Sequence, residues 1–234
     1  MRTKNNEISV GEYYHLYNRG VLKKDIFLDD RDYIRFSFLV LFFQSPVNFY
    51  NLSRPVTAFV RRQTFNIDSW IVKKIAATKT VEVNALCLMP NHFHLLLKEI
   101  EVGGISKYLQ RILTAYAKYF NTKYKQSGHL FEGVYKTVHI EDNDQLLYTS
   151  AYIHKNPLDL GRGTSTYRNY LWSSYLDYVT TNRWPDLLVT DLVLGQFKDS
   201  QDYAKWVKNT TAKEINKALE DGQTDLLDAR RLTN

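Results

Sequence analysis

The feature that most constrains the fold is a pair of strand-like segments separated by a two-residue turn. Residues 80–89, TVEVNALCLM, and residues 92–100, HFHLLLKEI, both have the composition and alternation of β-strands. Pro90 and Asn91 lie between them and are typical of a tight turn. Two strands joined this closely pair as an antiparallel hairpin, so the chain must contain a β-sheet.

The N-terminal side of this hairpin adds one strand and one helix. Residues 12–21 alternate, are rich in tyrosine and predict a strand that ends at Gly20. The next apolar side chains recur at helical spacing, with Asp29 or Asp30 as the N-cap and Pro46 beyond the end.

The C-terminal side adds a second helix and a fourth strand. Residues 103–124 predict an amphipathic helix, and residues 134–141 predict a strand. The predicted buried face of the helix consists of Ile105, Leu109, Ile112, Leu113, Tyr116 and Phe120. The order β-α-β-β-α-β predicts an α+β fold with a ferredoxin-like antiparallel sheet and helices on one face. In this topology the middle strands can expose their other face.

Helical segments dominate the rest of the chain. They are predicted at residues 142–157, at residues 167–179 as a helix or turn, and at residues 200–220, with a frayed tail beyond Gly222. Asp142 or Asn143 can cap the first of them, and Pro157 stops it. We divide the chain into a domain at residues 1–180 and a helical C-terminal extension at residues 181–234.

Residues 44–80 form a basic insertion within the first domain. They contain six basic side chains and one acidic side chain, and residues 53–65 predict a helix with Pro55 near its first turn. Two interpretations remain open, a solvated connector and a surface that contacts phosphates.

The composition excludes some classes of protein. With 44% hydrophobic and 14% aromatic residues, the chain can form a packed core, and a net charge of +6 is compatible with a polyanionic partner. A single cysteine, Cys87, excludes an internal disulfide and a cysteine-built zinc site. The start MRTKNNEISV lacks the apolar run of a signal peptide, and the apolar run at residues 36–43 is too short to span a bilayer. We therefore expect a cytoplasmic protein without membrane contact.

Two histidines occupy an otherwise apolar strand. His92 and His94 share one face of it, whereas Phe93, Leu95 and Leu97 share the other. If the apolar face packs under the helices, the two imidazoles point together from the opposite face and can converge on a metal ion. The alternative is that one or both are hydrogen-bonded core residues.

The helix before Pro157 offers a third metal ligand and a nucleophile. Tyr152 and Asn156 are four residues apart, so they lie one turn apart on the same helix face. The Asn156 amide oxygen could complete a metal shell, and the Tyr152 phenol, once deprotonated, could attack a phosphodiester. The alternatives are a helix-ending asparagine and a core or surface tyrosine.

Five ordered segments resemble one family. They are MPNHFHLLL, SKYLQRILTAYAKYFNTKY, SGHLFEGVYKT, YIHKNP and YLWSSY. With YYHLYNRGV at the first strand, the chain resembles the single-tyrosine HUH transposases of the insertion-sequence 200 type, and among them the REP-associated tyrosine transposases. The resemblance runs from about Tyr13 to about Tyr175.

The resemblance implies a mechanism and its residues. In that family a histidine pair binds Mg²⁺ or Mn²⁺, which implies His92 and His94 as ligands, Asn156 as a further ligand and Tyr152 as the nucleophile. Such enzymes cleave single-stranded DNA near hairpins, become attached to the 5′ phosphate and leave a free 3′ hydroxyl. It also implies a prokaryotic, nucleoid-associated location, and a homodimer is among the states found in relatives.

Two features depart from the family pattern. Residues 44–80 are longer than the usual link between the first helix and the second strand. His154 stands where relatives often have another residue, and we interpret it as a surface residue, with assistance in proton transfer as the alternative.

Basic side chains interleaved with aromatic ones predict a DNA-contacting surface, because cations attract phosphates and aromatic faces stack on unpaired bases. The candidate phosphate contacts are Arg19, Lys107, Arg111, Lys118, Lys125 and Lys136.

Two other functions compete with strand transfer. HFHLLL superficially resembles the motif of metal-dependent histidine-triad hydrolases, but position 96 is leucine where a third histidine is needed. The second alternative is a catalytically silent protein that binds hairpin nucleic acid, and the joint presence of the four proposed site residues argues against it.

Overall fold

The protein is built around an antiparallel sheet with the strand order β2-β3-β1-β4. The computed structural model describes residues 8–47, 52–62, 67–161, 163 and 166–220. The strands within these residues are β1 (Tyr13–Arg19), β2 (Val81–Met89), β3 (His92–Glu99) and β4 (Lys136–Ile140). The α-helices are α1 (Asp30–Phe42), α2 (Ser53–Arg62), α3 (Ser69–Ala77), α4 (Gly104–Tyr124), α5 (Asn143–Lys155), α6 (Tyr175–Val179), α7 (Asp191–Leu194), α8 (Ser200–Asn209) and α9 (Ala212–Glu220).

This arrangement confirms the predicted α+β, ferredoxin-like fold. Helices α1 and α4 pack on one face of the sheet, against Tyr14 and Leu16 of β1 and Phe93, Leu95 and Leu97 of β3. The predicted tight turn joins β2 to β3, and every strand pair is antiparallel. The alternation of β3 therefore places its aromatic and aliphatic side chains in this core and its two histidines on the other face.

The helix starts follow from local hydrogen bonds. The Asp29 carboxylate accepts from the backbone N–H of Asp32 and caps α1, and Asp142 caps α5 in the same way. The start of α4 has a different cap, because the buried Glu99 carboxylate accepts from the backbone N–H groups of Gly104 and Ile105. A Cβ on Gly104 would lie 2.3 Å from the Thr80 carbonyl oxygen, so only glycine fits where α4 begins.

The second face of the sheet is covered, contrary to the expectation that the middle strands expose it. Helices α5, α6, α8 and α9 pack there around Leu96 and Val138, and they contribute Ile153, Tyr203 and Ile215 to this second core. The histidines of β3 are consequently buried between the sheet and α5.

The predicted helix at residues 200–220 is two helices. It breaks at Thr210 and Thr211, where the Thr211 backbone N–H donates to the Glu214 carboxylate and the Glu214 N–H donates to the Thr211 hydroxyl. This reciprocal capping box starts α9, and its Thr-x-x-Glu pattern is present in the sequence. The predicted frayed tail beyond Gly222 lies outside the described residues.

The basic insertion contains packed helices. Helix α2 lies within the predicted helix at 53–65, whose last three residues are outside the described ones, while α3 was not predicted. Val56 and Ile75 are buried in the first core, and Arg31 of α1 donates to the Thr57 hydroxyl. The insertion is therefore more than a solvated connector, and its contact with phosphates stays a prediction.

The proposed domain boundary at residue 180 also stays a prediction. Residues after it contact the first 180 residues directly, since the Val189 N–H donates to the Val83 carbonyl of β2 and Gln44, just beyond α1, donates to the Leu187 carbonyl. In the part of the chain that the structure describes, no helix is long and apolar enough to cross a membrane.

Candidate active site

The two strand histidines lie on one face beside strand β1. His92 pairs with Arg19 and His94 pairs with Tyr17 across the β1–β3 ladder, so these side chains share a face. The ring centroids of His92 and His94 are 5.0 Å apart. The predicted same-face pair is therefore present, in a buried setting.

Helix α5 brings the other two predicted residues to this pair. The half-buried ring of Tyr152 packs edge-on against His94, with 5.3 Å between centroids. The Asn156 side-chain oxygen, just beyond the last turn of α5, is 3.0 Å from Nε2 of His92. The helical spacing of the tyrosine and the asparagine thus matches the strand spacing of the two histidines.

The environment of His92 defines its charge and which of its ring nitrogens carries the proton. Asn91 donates through its Nδ2 to the Lys23 carbonyl, so its Oδ1 accepts from Nδ1–H of His92 at 2.6 Å. Burial lowers the pKa of His92 to about 4, so the ring is neutral near pH 7 and its Nε2 carries a lone pair. This lone pair faces the oxygen of Asn156.

Two acceptor atoms that face each other at this distance can both be ligands of one cation. Ligands about 2.1 Å from Mg²⁺ at right angles to each other lie about 3 Å apart, and the His92–Asn156 contact is 3.0 Å. Rotation of the Asn156 amide would turn the same contact into an ordinary N–H···N hydrogen bond. The contact therefore suits both a site with a metal and one without.

The donor set fits a divalent cation that accepts nitrogen and oxygen ligands. His92, His94 and the Asn156 amide supply two imidazole nitrogens and one oxygen, with no thiolate. No group of three or more His, Cys, Asp or Glu side chains suited to a metal occurs among the described residues, so the amide oxygen is needed to reach three protein ligands.

His15 is a site residue that the sequence analysis missed. It lies on β1, is fully buried, and its Nε2 is 2.9 Å from Nδ1 of His94. Burial lowers the pKa of His15 to about 3 and that of His94 well below its ordinary value, so both rings are neutral. The signal available in the sequence was the position of His15 on the same strand face as Tyr13 and Tyr17.

Arg19 and Lys136 are the predicted cations nearest the histidines. Both project from the face that carries them, because Arg19 pairs with His92, and Lys136 pairs with Tyr17 in the β1–β4 ladder. Arg19 forms an ion pair with Glu132, and the exposed Lys136 ammonium lies 5.8 Å from the Tyr17 ring centroid.

The other predicted cations are on or next to α4, on the opposite face of the sheet. Lys107 and Lys118 are exposed there, and Lys125 is exposed at the C-terminal end of the helix. Arg111 donates to the Ser45 carbonyl at 2.8 Å and lies over the Phe43 ring, so it binds the chain just beyond α1. The prediction that Arg111 contacts DNA is not supported by this position.

The interpretation of His154 as a surface residue is wrong. The side chain is fully buried, with Nδ1 2.7 Å from the Tyr203 hydroxyl and Nε2 2.8 Å from the Ser174 hydroxyl. Helix α8 covers this side of α5, which the local sequence could not indicate. Both ring nitrogens are engaged in these contacts, so a role in proton transfer has no support from the geometry.

Comparison with protein families finds a similarity to transposases over part of the chain. A family model described as "Transposase IS200 like" matches residues 61–156, a range that contains the histidine pair, Tyr152 and Asn156. No curated protein sequence matches the chain.

A solved structure shares the fold. The structure of a REP-associated tyrosine transposase bound to a REP hairpin is 13% identical, with a TM-score of 0.50 over 82% of this chain and 93% of that one. The family model confirms the resemblance to the insertion-sequence 200 type of transposase over residues 61–156, and the solved structure shares the fold.

Proposed function

We propose that this protein cleaves and rejoins single-stranded DNA next to hairpins, with Tyr152 as the nucleophile and His92, His94 and Asn156 as the ligands of Mg²⁺ or Mn²⁺. The observation that carries the proposal is the junction of α5 with β3. There, Tyr152 packs on the ring of one histidine, while Asn156, one turn further, contacts the other.

The chemistry proposed for this junction is a transesterification. The Tyr152 oxygen loses its proton and forms a bond to phosphorus, the bond from phosphorus to the 3′ oxygen breaks, and that oxygen takes up a proton. A 5′-phosphotyrosine and a free 3′ hydroxyl result. When bound, the divalent cation supplies Lewis-acid polarisation of the phosphate. Attack by a 3′ hydroxyl reverses the step without ATP, which suits strand transfer rather than hydrolysis.

The DNA contacts we propose follow the position of the cations. Arg19 and Lys136 share the site's face and are proposed to contact phosphates beside the scissile bond. Lys107, Lys118 and Lys125 are proposed as contacts only for DNA that extends around the α4 side. A hairpin is the proposed substrate because the relative with this fold is bound to one.

The experiment is a covalent-adduct assay with single-stranded hairpin DNA and Mg²⁺ or Mn²⁺, resolved on a denaturing gel. We expect an adduct that disappears in Tyr152→Phe and with a chelator. Cleavage products without an adduct would favour a hydrolase, and hairpin binding without cleavage would favour the catalytically silent alternative. Mass measurement of the complex tests the homodimer, and the cytoplasmic, nucleoid-associated location stays a prediction.

A further inference from the structure

The imidazole of His15 is a buried polar group with only one of its two ring nitrogens hydrogen-bonded among the described residues. It is fully buried, its Nε2 faces His94, and its Nδ1 has no hydrogen-bond partner within the described residues. An unpaired buried polar atom destabilises the folded state. A leucine in this place would fill the space without an unpaired nitrogen of its own, so packing alone does not account for the imidazole, whereas its contact with His94 does.

The contact between the two rings limits what His94 can do. A neutral imidazole carries one proton, and a nitrogen can bind a metal only through its lone pair. Nδ1 of His94 is occupied by His15, so Nε2 is the nitrogen left for a cation. Nε2 has its lone pair only if the proton is on Nδ1, and Nε2 of His15 must then accept that proton's hydrogen bond.

We infer that His15 is a positioning residue for His94: it accepts the hydrogen bond from Nδ1–H and holds the ring in the orientation and tautomer in which Nε2 can bind a divalent cation. This inference rests on the proposed function. Partners of this kind on metal-binding histidines fix the ring and raise its basicity.

Two further contacts agree with this role. His92 has an equivalent partner, since Asn91 accepts from its Nδ1–H, so each histidine of the pair is held at Nδ1 by a neighbour. The ring of His15 also packs edge-on against Tyr152, with 5.7 Å between centroids. One buried side chain thus contacts both the proposed ligand and the proposed nucleophile.

Substitutions of His15 separate this role from a structural one. His15→Leu removes the acceptor, whereas His15→Gln retains one, because its side-chain oxygen can occupy the place of Nε2. Mn²⁺ binding to the DNA-free protein, measured by electron paramagnetic resonance, should weaken about 10–100-fold in the leucine variant and stay close to wild type in the glutamine variant. The leucine variant loses the unpaired Nδ1 of His15 but leaves Nδ1–H of His94 without its acceptor, so its unfolding temperature should stay close to that of wild type.

The control is His139→Leu, at a histidine on β4 whose ring packs on Tyr14 of the first core. It should leave Mn²⁺ binding unchanged. Unchanged Mn²⁺ affinity in a folded His15→Leu protein would overturn the inference, whatever the unfolding temperature of the variant.

A spectroscopic measurement decides the matter even if the leucine variant fails to fold. In ¹⁵N-histidine spectra of the Mg²⁺-bound wild type, His94 should be protonated on Nδ1 and His15 should be unprotonated on Nε2, and the reverse pattern would overturn the inference. The variant His92→Ala distinguishes a failure of the proposed metal site from a failure of the proposed role of His15. If it binds Mn²⁺ as tightly as wild type, the proposed metal site is wrong, whereas loss of binding in His92→Ala with none in His15→Leu refutes the role of His15 alone.

Discussion

Buried histidines lie on two sides of helix α5, and the two groups differ in the hydrogen-bond partners of their ring nitrogens. On the side of the sheet, His15, His92 and His94 contact one another and face Tyr152 and Asn156. On the side of α8, His154 contacts the Tyr203 and Ser174 hydroxyl groups, one at each ring nitrogen.

The difference indicates which group is a site and which is a structural joint. A hydroxyl can donate or accept, so either tautomer of His154 is satisfied, and the side chain joins α5 to α8 without any ligand. On the sheet side, a ring nitrogen faces another ring nitrogen or an amide oxygen, and one nitrogen of His15 has no partner within the described residues. Such incomplete satisfaction in a buried cluster is typical of a binding site.

The largest expected effect is on catalysis from the sheet-side group. His92→Ala or His94→Ala should slow hairpin cleavage at least about 10³-fold, about 4 kcal/mol of transition-state stabilisation, because the cation loses a ligand. Single-turnover cleavage gels measure the rate. Hairpin affinity should stay near wild type, since phosphate contacts supply most of it, and an equal loss of affinity would assign the histidines to DNA contact or to the core.

On the α8 side, the effect should be on stability alone. His154→Leu leaves the Tyr203 and Ser174 hydroxyl groups without their imidazole partner, which should lower the free energy of unfolding by about 2–3 kcal/mol. Urea unfolding measures the loss, and Mn²⁺ affinity measured on the same protein should be unchanged. A variant that loses metal binding while keeping its stability would contradict the comparison.

Acid should destabilise the metal-free protein through both groups. Burial lowers the native pKa of His154 and of His15 to about 3, and that of His92 to about 4, from an ordinary 6.5. Between these values the unfolded chain binds more protons than the native one, so the free energy of unfolding falls as the pH drops below 6.5.

Removal of one histidine should change this pH dependence by a known amount. In His154→Leu the free energy of unfolding should fall less steeply with decreasing pH, by up to about 1.4 kcal/mol per pH unit. Urea titrations from pH 7 to pH 4 with chelator present measure it. A pH dependence identical to that of wild type would mean that His154 titrates normally in the native protein.

The smallest expected effect is on the salt dependence of DNA binding at Lys136, which lies on the same face as the sheet-side histidines. Lys136→Ala should reduce the salt dependence of hairpin binding by about one phosphate contact. The matched control is Lys107→Ala, an exposed lysine on the helix of the opposite face. Fluorescence anisotropy over a range of salt concentrations compares them, and a slope for Lys136→Ala equal to that of wild type would place the DNA elsewhere than on the face of the histidines.

Much of the site was predictable because its parts are local. Alternation along β3 puts His92 and His94 on one face and Phe93 on the other, and helical spacing puts Tyr152 and Asn156 one turn apart. Helix starts at Asp29 and Asp142 also follow from their neighbours in sequence. Motif resemblance then assigned roles that spacing alone left open.

Other parts depended on contacts distant in sequence. His15 meets His94 because β1 pairs with β3 across 79 residues, and His154 is buried because α8 folds back over α5. Arg111, which was predicted to contact DNA, donates to the Ser45 carbonyl just beyond α1 because α4 packs beside that helix, and its contact with DNA stays a prediction.

By itself, the sequence determined the four strands of the sheet, the helices α1, α4 and α5 that pack on them, the faces of these elements, and four of the residues that meet at the candidate site. Only the tertiary structure decided which of its polar side chains are buried together, which are satisfied there, and that His15 belongs to the site. The physical reason is that the backbone period sets the direction of a side chain, whereas burial and hydrogen-bond partners exist only once distant segments have packed.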